Sequence, residues 1–466
     1  MTPNQKNLVR RAHSEFRSFA LPSKRPLDDR DLQAAQGRER LVEAWTDLAT
    51  GTMAGFTQAG MQALADLASD LRSESRLGEK LVAKAALAKV LAAMAAKSWK
   101  ERGDKELADD EIDKLSAEIR SWFSMQDRIR IHYVPCALSA WAVPSFDIGP
   151  VKFYAFGALS PALLGIAGGK DEQFSPIDEL LIGPFREFAR VRHAGTIAEV
   201  KVRGREKKRS ALAAEIAVDV ALAILQLVMP PKIFDRAARA SARSAPVYHV
   251  RLSRDSNGFS PDIENEEPGR SLIPGGFELI LKRDASTISA CGRRLSSYLE
   301  GDGVLPQLDE AWCNATWWYH QALAEPFETV AIAKLETAIE VLLRAEKTSG
   351  SKQRILTGMK ALLDIDCDED LGDITAEQFA TSIVTARSRV LHGTWPTLHT
   401  EPPNKNGASV NVADVQALTR ALIIMYAHTV DRYLAAGKTD DKIEIMLKWQ
   451  IDTANLGKES RQNSQL

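Results

Sequence analysis

Apolar residues return every three or four positions over most of this chain, and the places where that period fails divide it. From about Asp28 to Phe123, alanine and leucine recur at helical spacing among glutamate and lysine, which predicts several amphipathic helices, the first capped by Asp28 or Asp29. The Ala-rich run Leu81–Leu91 reads as a tightly packed helix. Near Arg128 the period shortens to two. Ile129-Arg130-Ile131-His132-Tyr133-Val134 alternates as a strand does, and Val151–Phe156, Ile197–Val202, Val247–Leu252 and Phe277–Leu281 are further strand candidates. Asp255–Gly276, dense in Asn, Gly, Pro and acidic residues, predicts a mobile loop. Ala211–Met229 is the most apolar stretch, but Glu215 and Asp219 interrupt it. The uncharged remainder falls short of the ~20 residues that span a bilayer, so a buried helix suited to a dimer contact is expected.

The helical period returns after Gly301-Asp302-Gly303-Val304-Leu305-Pro306, which reads as a junction. Trp312, Trp317, Trp318 and Tyr319 then open a helix ahead of Pro326 as core aromatics. Further on, Val412–Leu434 places Val415, Leu418, Leu422, Tyr426, Val430 and Tyr433 on one side, enough to close a helical bundle. Past Gly457 the chain is polar and reads as disordered. The expected organisation is a helical domain at 1–125, a mixed α/β domain at 126–305, a helical domain at 311–436 and a polar tail at 437–466. The fold class is mainly α with a mixed α/β middle region.

Charge narrows the partners. Sixty lysines and arginines against 62 acids leave a formal net charge of −2, so an RNA-binding surface has to be a local basic patch. The densest basic run is Lys201-Val202-Arg203-Gly204-Arg205-Glu206-Lys207-Lys208-Arg209. Lys201, Arg203, Arg205, Lys207, Lys208 and Arg209 are therefore candidate phosphate contacts. No aromatic residue is interleaved to stack a base, and a solvated loop is the competing account. The polar start Met1–Asn7 precedes no apolar core of signal-peptide length, and Cys136, Cys291, Cys313 and Cys367 are scattered without metal-type spacing. These features predict a cytoplasmic chain with no metal, no cofactor and no membrane partner. Asp364–Asp370 alternates carboxylates like a calcium loop, yet Glu369 stands where glycine is needed and Thr375 where a bidentate glutamate is needed. An acidic connector is expected there.

The chemistry-bearing stretch is Ala386-Arg387-Ser388-Arg389-Val390-Leu391-His392-Gly393-Thr394-Trp395. It sets a permanent guanidinium ahead of an imidazole that can exchange a proton near neutral pH. Gly393 followed by Pro396 predicts a helix stop with His392 in the final turn, beside the partial negative charge of the helix end. Such spacing is common: Arg186–His193 lies in a basic stretch without the closing glycine, and Arg243–His249 is interrupted by Pro246.

Context separates the Arg387 stretch from those two. With the leading helix Phe327–Leu343 and a following helix at Ser351–Leu363, the block from about Ala311 to Leu434 resembles the HEPN superfamily, in particular its Apea-like branch found in prokaryotic defence proteins. The resemblance covers a little over a quarter of the chain and implies a C-terminal antiparallel helical bundle of HEPN type at about 311–436. It also implies a metal-independent endoribonuclease, an anti-phage (abortive-infection) or toxin-type effector. In such an enzyme a ribose 2′-hydroxyl attacks the adjacent phosphate in a composite site built by two copies. The partners expected are then RNA, a second copy or a higher homo-oligomer, and a regulatory or trigger molecule sensed by the N-terminal portion. His392 would act as general base or acid, Arg387 would stabilise phosphoryl charge, and Ser388 would orient one of them. A non-catalytic RNA- or nucleotide-binding module, or a regulatory partner of another enzyme, is the alternative. Glu336 and Glu340 stand four apart on the leading helix, where like charges oppose each other. They read as a solvated face, or as partners of Arg387 or Arg389.

Overall fold

The computed structural model describes residues 1–21, 29–47, 50–74, 81–99, 106–164, 174–242, 248–256, 258–273, 275–344, 350–394 and 411–463. The chain forms two compact units, one of Met1–Arg130 with Val202–Leu212 and the other of Ile131–Lys201 with Ala213–Leu466.

In the first unit the helix Pro3–Ser14 begins at a reciprocal cap. Thr2 Oγ1 accepts from the Gln5 amide at 3.3 Å, and Gln5 Oε1 accepts from the Thr2 amide at 3.0 Å. The predicted helices are present at Gln58–Ser73, Lys84–Trp99 and Asp109–Gln126, the second burying Leu87, Leu91, Ala95 and Trp99. The expectation of helices alone is corrected. Phe16–Ala20, Thr52–Thr57 and Leu41–Asp47 form an antiparallel sheet in that order. Met53–Phe56 is buried on both faces, so the central strand carries no alternating pattern to betray it. Phe16, Phe56 and Trp99 meet with ring centroids 5.1–5.9 Å apart and anchor sheet to helices. Asp28 lies outside the described residues.

The second unit is led by a five-stranded sheet in the order Phe146–Ile148, Val151–Ala155, Thr196–Arg203, Ile129–Ala137, Ala238–Arg239. Gly149, at φ +54°, turns the first two strands. The apolar stretch is the helix Lys207–Val228, most of it inside the protein. Its buried Asp219 accepts from Arg239 Nε and Nη2 at 2.6 and 3.0 Å. Two expectations fail here. Phe277–Leu281 belongs to the helix Gly276–Arg283, whose Phe277 is buried while Leu279 is 66% exposed, so the run follows the helical period rather than alternation. Much of Asp255–Gly276 is not loop, because Gly258–Asn265 pairs antiparallel with Tyr248–Asp255. Val247 lies outside the described residues.

The C-terminal part of this unit is helical. The helix Glu328–Leu342 packs against Pro306–Leu323, Ala376–Leu391 and Val412–Ala435, and Ser351–Gly358 continues into a wider turn at Met359–Leu363. Trp312, Tyr319, Tyr426 and Tyr433 fill the interior, and the Trp312 indole donates to the Ile423 carbonyl at 3.0 Å. Trp317 and Trp318 are only half-buried. The expected tail is also corrected: Ile443–Asn463 is helical, with Ile443, Met446 and Leu447 buried against the rest.

Candidate functional site

The helix carrying the candidate chemistry, Ala376–Leu391, is fixed at both ends by its own sequence. At its start Thr375 Oγ1 accepts from the Gln378 amide at 3.3 Å while Gln378 Oε1 accepts from the Thr375 amide at 3.0 Å. At its end Gly393 takes φ +67°, its amide donates to the Val390 carbonyl at 3.1 Å, and the Thr394 amide donates to the Arg389 carbonyl at 2.9 Å. This pair of closing bonds needs a left-handed residue, which is why the stop falls at the glycine. His392 is thereby the capping residue just beyond the last turn, with its side chain exposed. Trp395 and Pro396 lie outside the described residues, as do Arg243 and Pro246.

Inward, the helix presents Ala376, Phe379, Ala380, Ile383 and Ala386. Arg387 sits at the edge of that face and reaches the leading helix. Its Nε stands 3.0 Å from Glu336 Oε2, its Nη2 3.1 Å from Glu340 Oε2, and its Nη1 donates to Glu340 Oε1 at 3.4 Å. Ser351 adds a hydroxyl donor to Glu340 Oε1. The expected solvated face is therefore overturned. Glu336 is wholly buried and Glu340 nearly so, because four helices, Ser351–Gly358 among them, pack on the one that bears them. Of the two arginines considered as their partner, Arg387 takes the position.

Electrostatics follow from that burial. Burial first, then the neighbouring Glu340, push the Glu336 carboxyl up to about 9 against the opposing pull of Arg387. Glu336 therefore keeps its proton near neutral pH, which removes one negative charge from the cluster. What the cluster does is tie the Arg387 helix to the leading helix, leaving the Arg387 side chain about a quarter exposed. Ser388 is exposed and meets His392 through its backbone carbonyl, which accepts from the His392 amide at 3.0 Å. Arg389 is half-buried. Ser351 was missed by sequence reasoning; the signal available was its type, a small hydroxyl residue opening a helix.

The basic run is not a loop throughout. It comprises the end of the strand Thr196–Arg203, a turn at Gly204 with φ +67°, and the first turn of the helix Lys207–Val228. Glu206 holds that helix start by accepting from the Lys208 and Arg209 amides at 3.1 and 3.3 Å. Arg203 is engaged by both oxygens of Asp127 at 3.0 and 3.1 Å, and Lys201 lies 3.7 Å from Glu199. Lys207 and Lys208 are exposed, whereas Arg205 and Arg209 are half-buried. The candidate calcium loop has its own neutraliser, since Lys360 binds Asp364 at 2.9 Å and Asp366 at 2.8 Å.

Arg186 pairs with Glu179 at 2.8 Å on the helix Pro176–Val191, and His193 lies past its end. No protein-family model, curated protein or solved structure matches this chain.

Proposed function

We propose that the chain is a metal-independent endoribonuclease of the HEPN kind, acting in a prokaryotic anti-phage or toxin-type defence response. The observation that carries this reading is the end of the Ala376–Leu391 helix. His392 is held in the open by the Gly393 stop, on a helix anchored one turn back through Arg387 to two buried carboxyls. In this proposal two copies bring their His392 side chains to one ribonucleotide linkage. One imidazole takes the 2′-hydroxyl proton, the 2′-oxygen bonds to phosphorus, and the 5′-oxygen leaves with a proton from the second imidazole, giving a cyclic phosphate end. Arg387 is chiefly a positioning residue, and with Arg389 it meets the charge that develops on the phosphoryl oxygens.

The test incubates the purified chain with mixed RNA in EDTA. Fragments with cyclic phosphate ends are expected from the wild type and none from His392→Ala; cleavage retained by that variant refutes the assignment. One observation favours the second reading, a non-catalytic RNA- or nucleotide-binding module: the Arg387 guanidinium already faces Glu336 or Glu340 through all three nitrogens. RNA binding without fragments is its signature.

A further inference from the structure

The stretch that follows the long helix Lys207–Val228 carries a backbone outlier, Lys232, held at φ +70°. A residue with a Cβ resists that conformation, and residues kept in it nonetheless gather at ligand clamps. This stretch is not free to relax. The Gly269 amide donates to the Ile233 carbonyl at 2.9 Å, stitching it to the stretch after the strand Gly258–Asn265, and the Ala140 amide fixes the latter by donating to the Pro268 carbonyl at 2.8 Å. Between the two stretches and Leu323, the last residue of the helix Pro306–Leu323, lies a cavity of about 590 Å³. That size is within the range small molecules fill.

The wall of this cavity narrows the ligand. Arg236 is already engaged: its Nε meets Glu266 at 2.8 Å and its Nη1 donates to the Ala324 carbonyl at 3.2 Å. Lys232 and Arg270 are exposed at the cavity, and among the described residues neither forms an ion pair. Two such cations in one cavity suit a dianion such as a phosphate group. A bare phosphate does not suit the rest, because Asp235 and Glu267 also line the cavity and a carboxylate repels it. Carboxylates accept readily from hydroxyls, and the half-buried Asp235 is oriented by the Lys232 amide, which donates to it. The side-chain oxygen of Asn265 accepts from the Glu267 amide at 2.9 Å, so its NH2 is the half left to donate. Ile233 and Leu323 add apolar surface. We propose that this cavity binds a phosphorylated sugar, with Lys232 and Arg270 on the phosphate and Asp235 on a sugar hydroxyl. A nucleotide and a free sugar phosphate both present that group, and the probes below separate them.

The test is isothermal titration calorimetry on the full-length chain, with ribose 5-phosphate, glucose 6-phosphate, adenosine 5′-monophosphate, inorganic phosphate and glutamate as separate probes, each to about 5 mM. At least one of the three phosphorylated sugars should bind more than about tenfold tighter than inorganic phosphate or glutamate. Adenosine monophosphate ahead of the other two assigns the apolar surface to a base; a free sugar phosphate equal to it or ahead assigns the ligand to that class. Lys232→Gly fits φ +70° and keeps the amide that Asp235 accepts from, so the chain should stay folded while affinity falls at least about tenfold. Arg270→Gln, at an exposed position, should lose as much. Asp235→Asn should weaken the phosphorylated sugar while inorganic phosphate binds no worse. Circular dichroism reports that each variant is folded. No phosphorylated sugar binding, binding no tighter than that of inorganic phosphate or glutamate, or an affinity unchanged in any of the folded variants overturns the proposal. None of these readouts involves RNA, so failure here is distinct from failure of the nuclease assignment.

Discussion

Replacing Arg387 with alanine tests whether the buried cluster holds the candidate helix in place. The change removes a guanidinium from between a fully buried Glu336 and a nearly buried Glu340, and it strands both. Breaking a buried pair from one side costs about 3–5 kcal/mol. Two features lower that figure: Glu336 is protonated near neutral pH, and Ser351 still donates to Glu340. A loss of about 2–3 kcal/mol follows. A chain of two units does not unfold as a single step, so the measurement is hydrogen exchange at the amides of Ala376–Leu391. They should exchange roughly 30–150-fold faster in the variant, the same free energy expressed as a ratio. Glu340→Gln in the Arg387→Ala background should recover part of the loss, with a coupling of about 1–2 kcal/mol. Exchange unchanged by Arg387→Ala, or losses that simply add in the double variant, would refute the anchoring argument.

Other outcomes are open to direct measurement. Glu336 ionises near 9 in the folded chain against an ordinary value of 4.5, so its contribution to stability is complete below about pH 4.5 and is lost as pH rises through about 9. Glu336→Gln should flatten a decline that approaches about 1.4 kcal/mol per pH unit within that window; hydrogen exchange at the amides of Glu328–Leu342 from pH 5 to 9, corrected for the intrinsic rate, would show an unaltered slope if the carboxyl were not buried as described. Gly292→Ala would drive a Cβ to 2.8 Å from the Gly149 backbone nitrogen, so a loss of about 1–3 kcal/mol is expected in the hydrogen-exchange protection of Ala285–Glu300, and a neutral result contradicts the close approach. Cys367 is exposed while Cys136, Cys291 and Cys313 are buried, with burial holding the Cys291 thiol up at about 12. One thiol per native chain should react promptly with a disulfide reagent; three or four would mean the buried set is open.

The helices of the C-terminal part were the most legible feature, because burial on one face leaves a period that composition cannot hide. Val415, Leu418, Leu422, Tyr426, Val430 and Tyr433 are all buried as the spacing of Val412–Leu434 implied. Gly393 likewise announced the end of the Arg387 helix, since its left-handed conformation excludes most other residues. What failed were elements whose environment is symmetric. Met53–Phe56 lies in a strand covered on both sides, and Gly258–Asn265 in one exposed throughout apart from Asn265, so neither shows a contrast between faces. Glu336 and Glu340 were misjudged for a related reason: sequence reports that two acids share a helix face, and only the packing of the neighbouring helices reveals that this face looks inward.

The central proposal, attack by a ribose hydroxyl without a bound ion, is tested most directly by removing that hydroxyl. An RNA oligonucleotide containing a mapped cleavage site is compared with one carrying a single 2′-deoxy sugar on the 5′ side of the same linkage, both in EDTA. The account predicts that the wild-type chain cuts the first and leaves that linkage of the second intact. Equal cutting of both would contradict it.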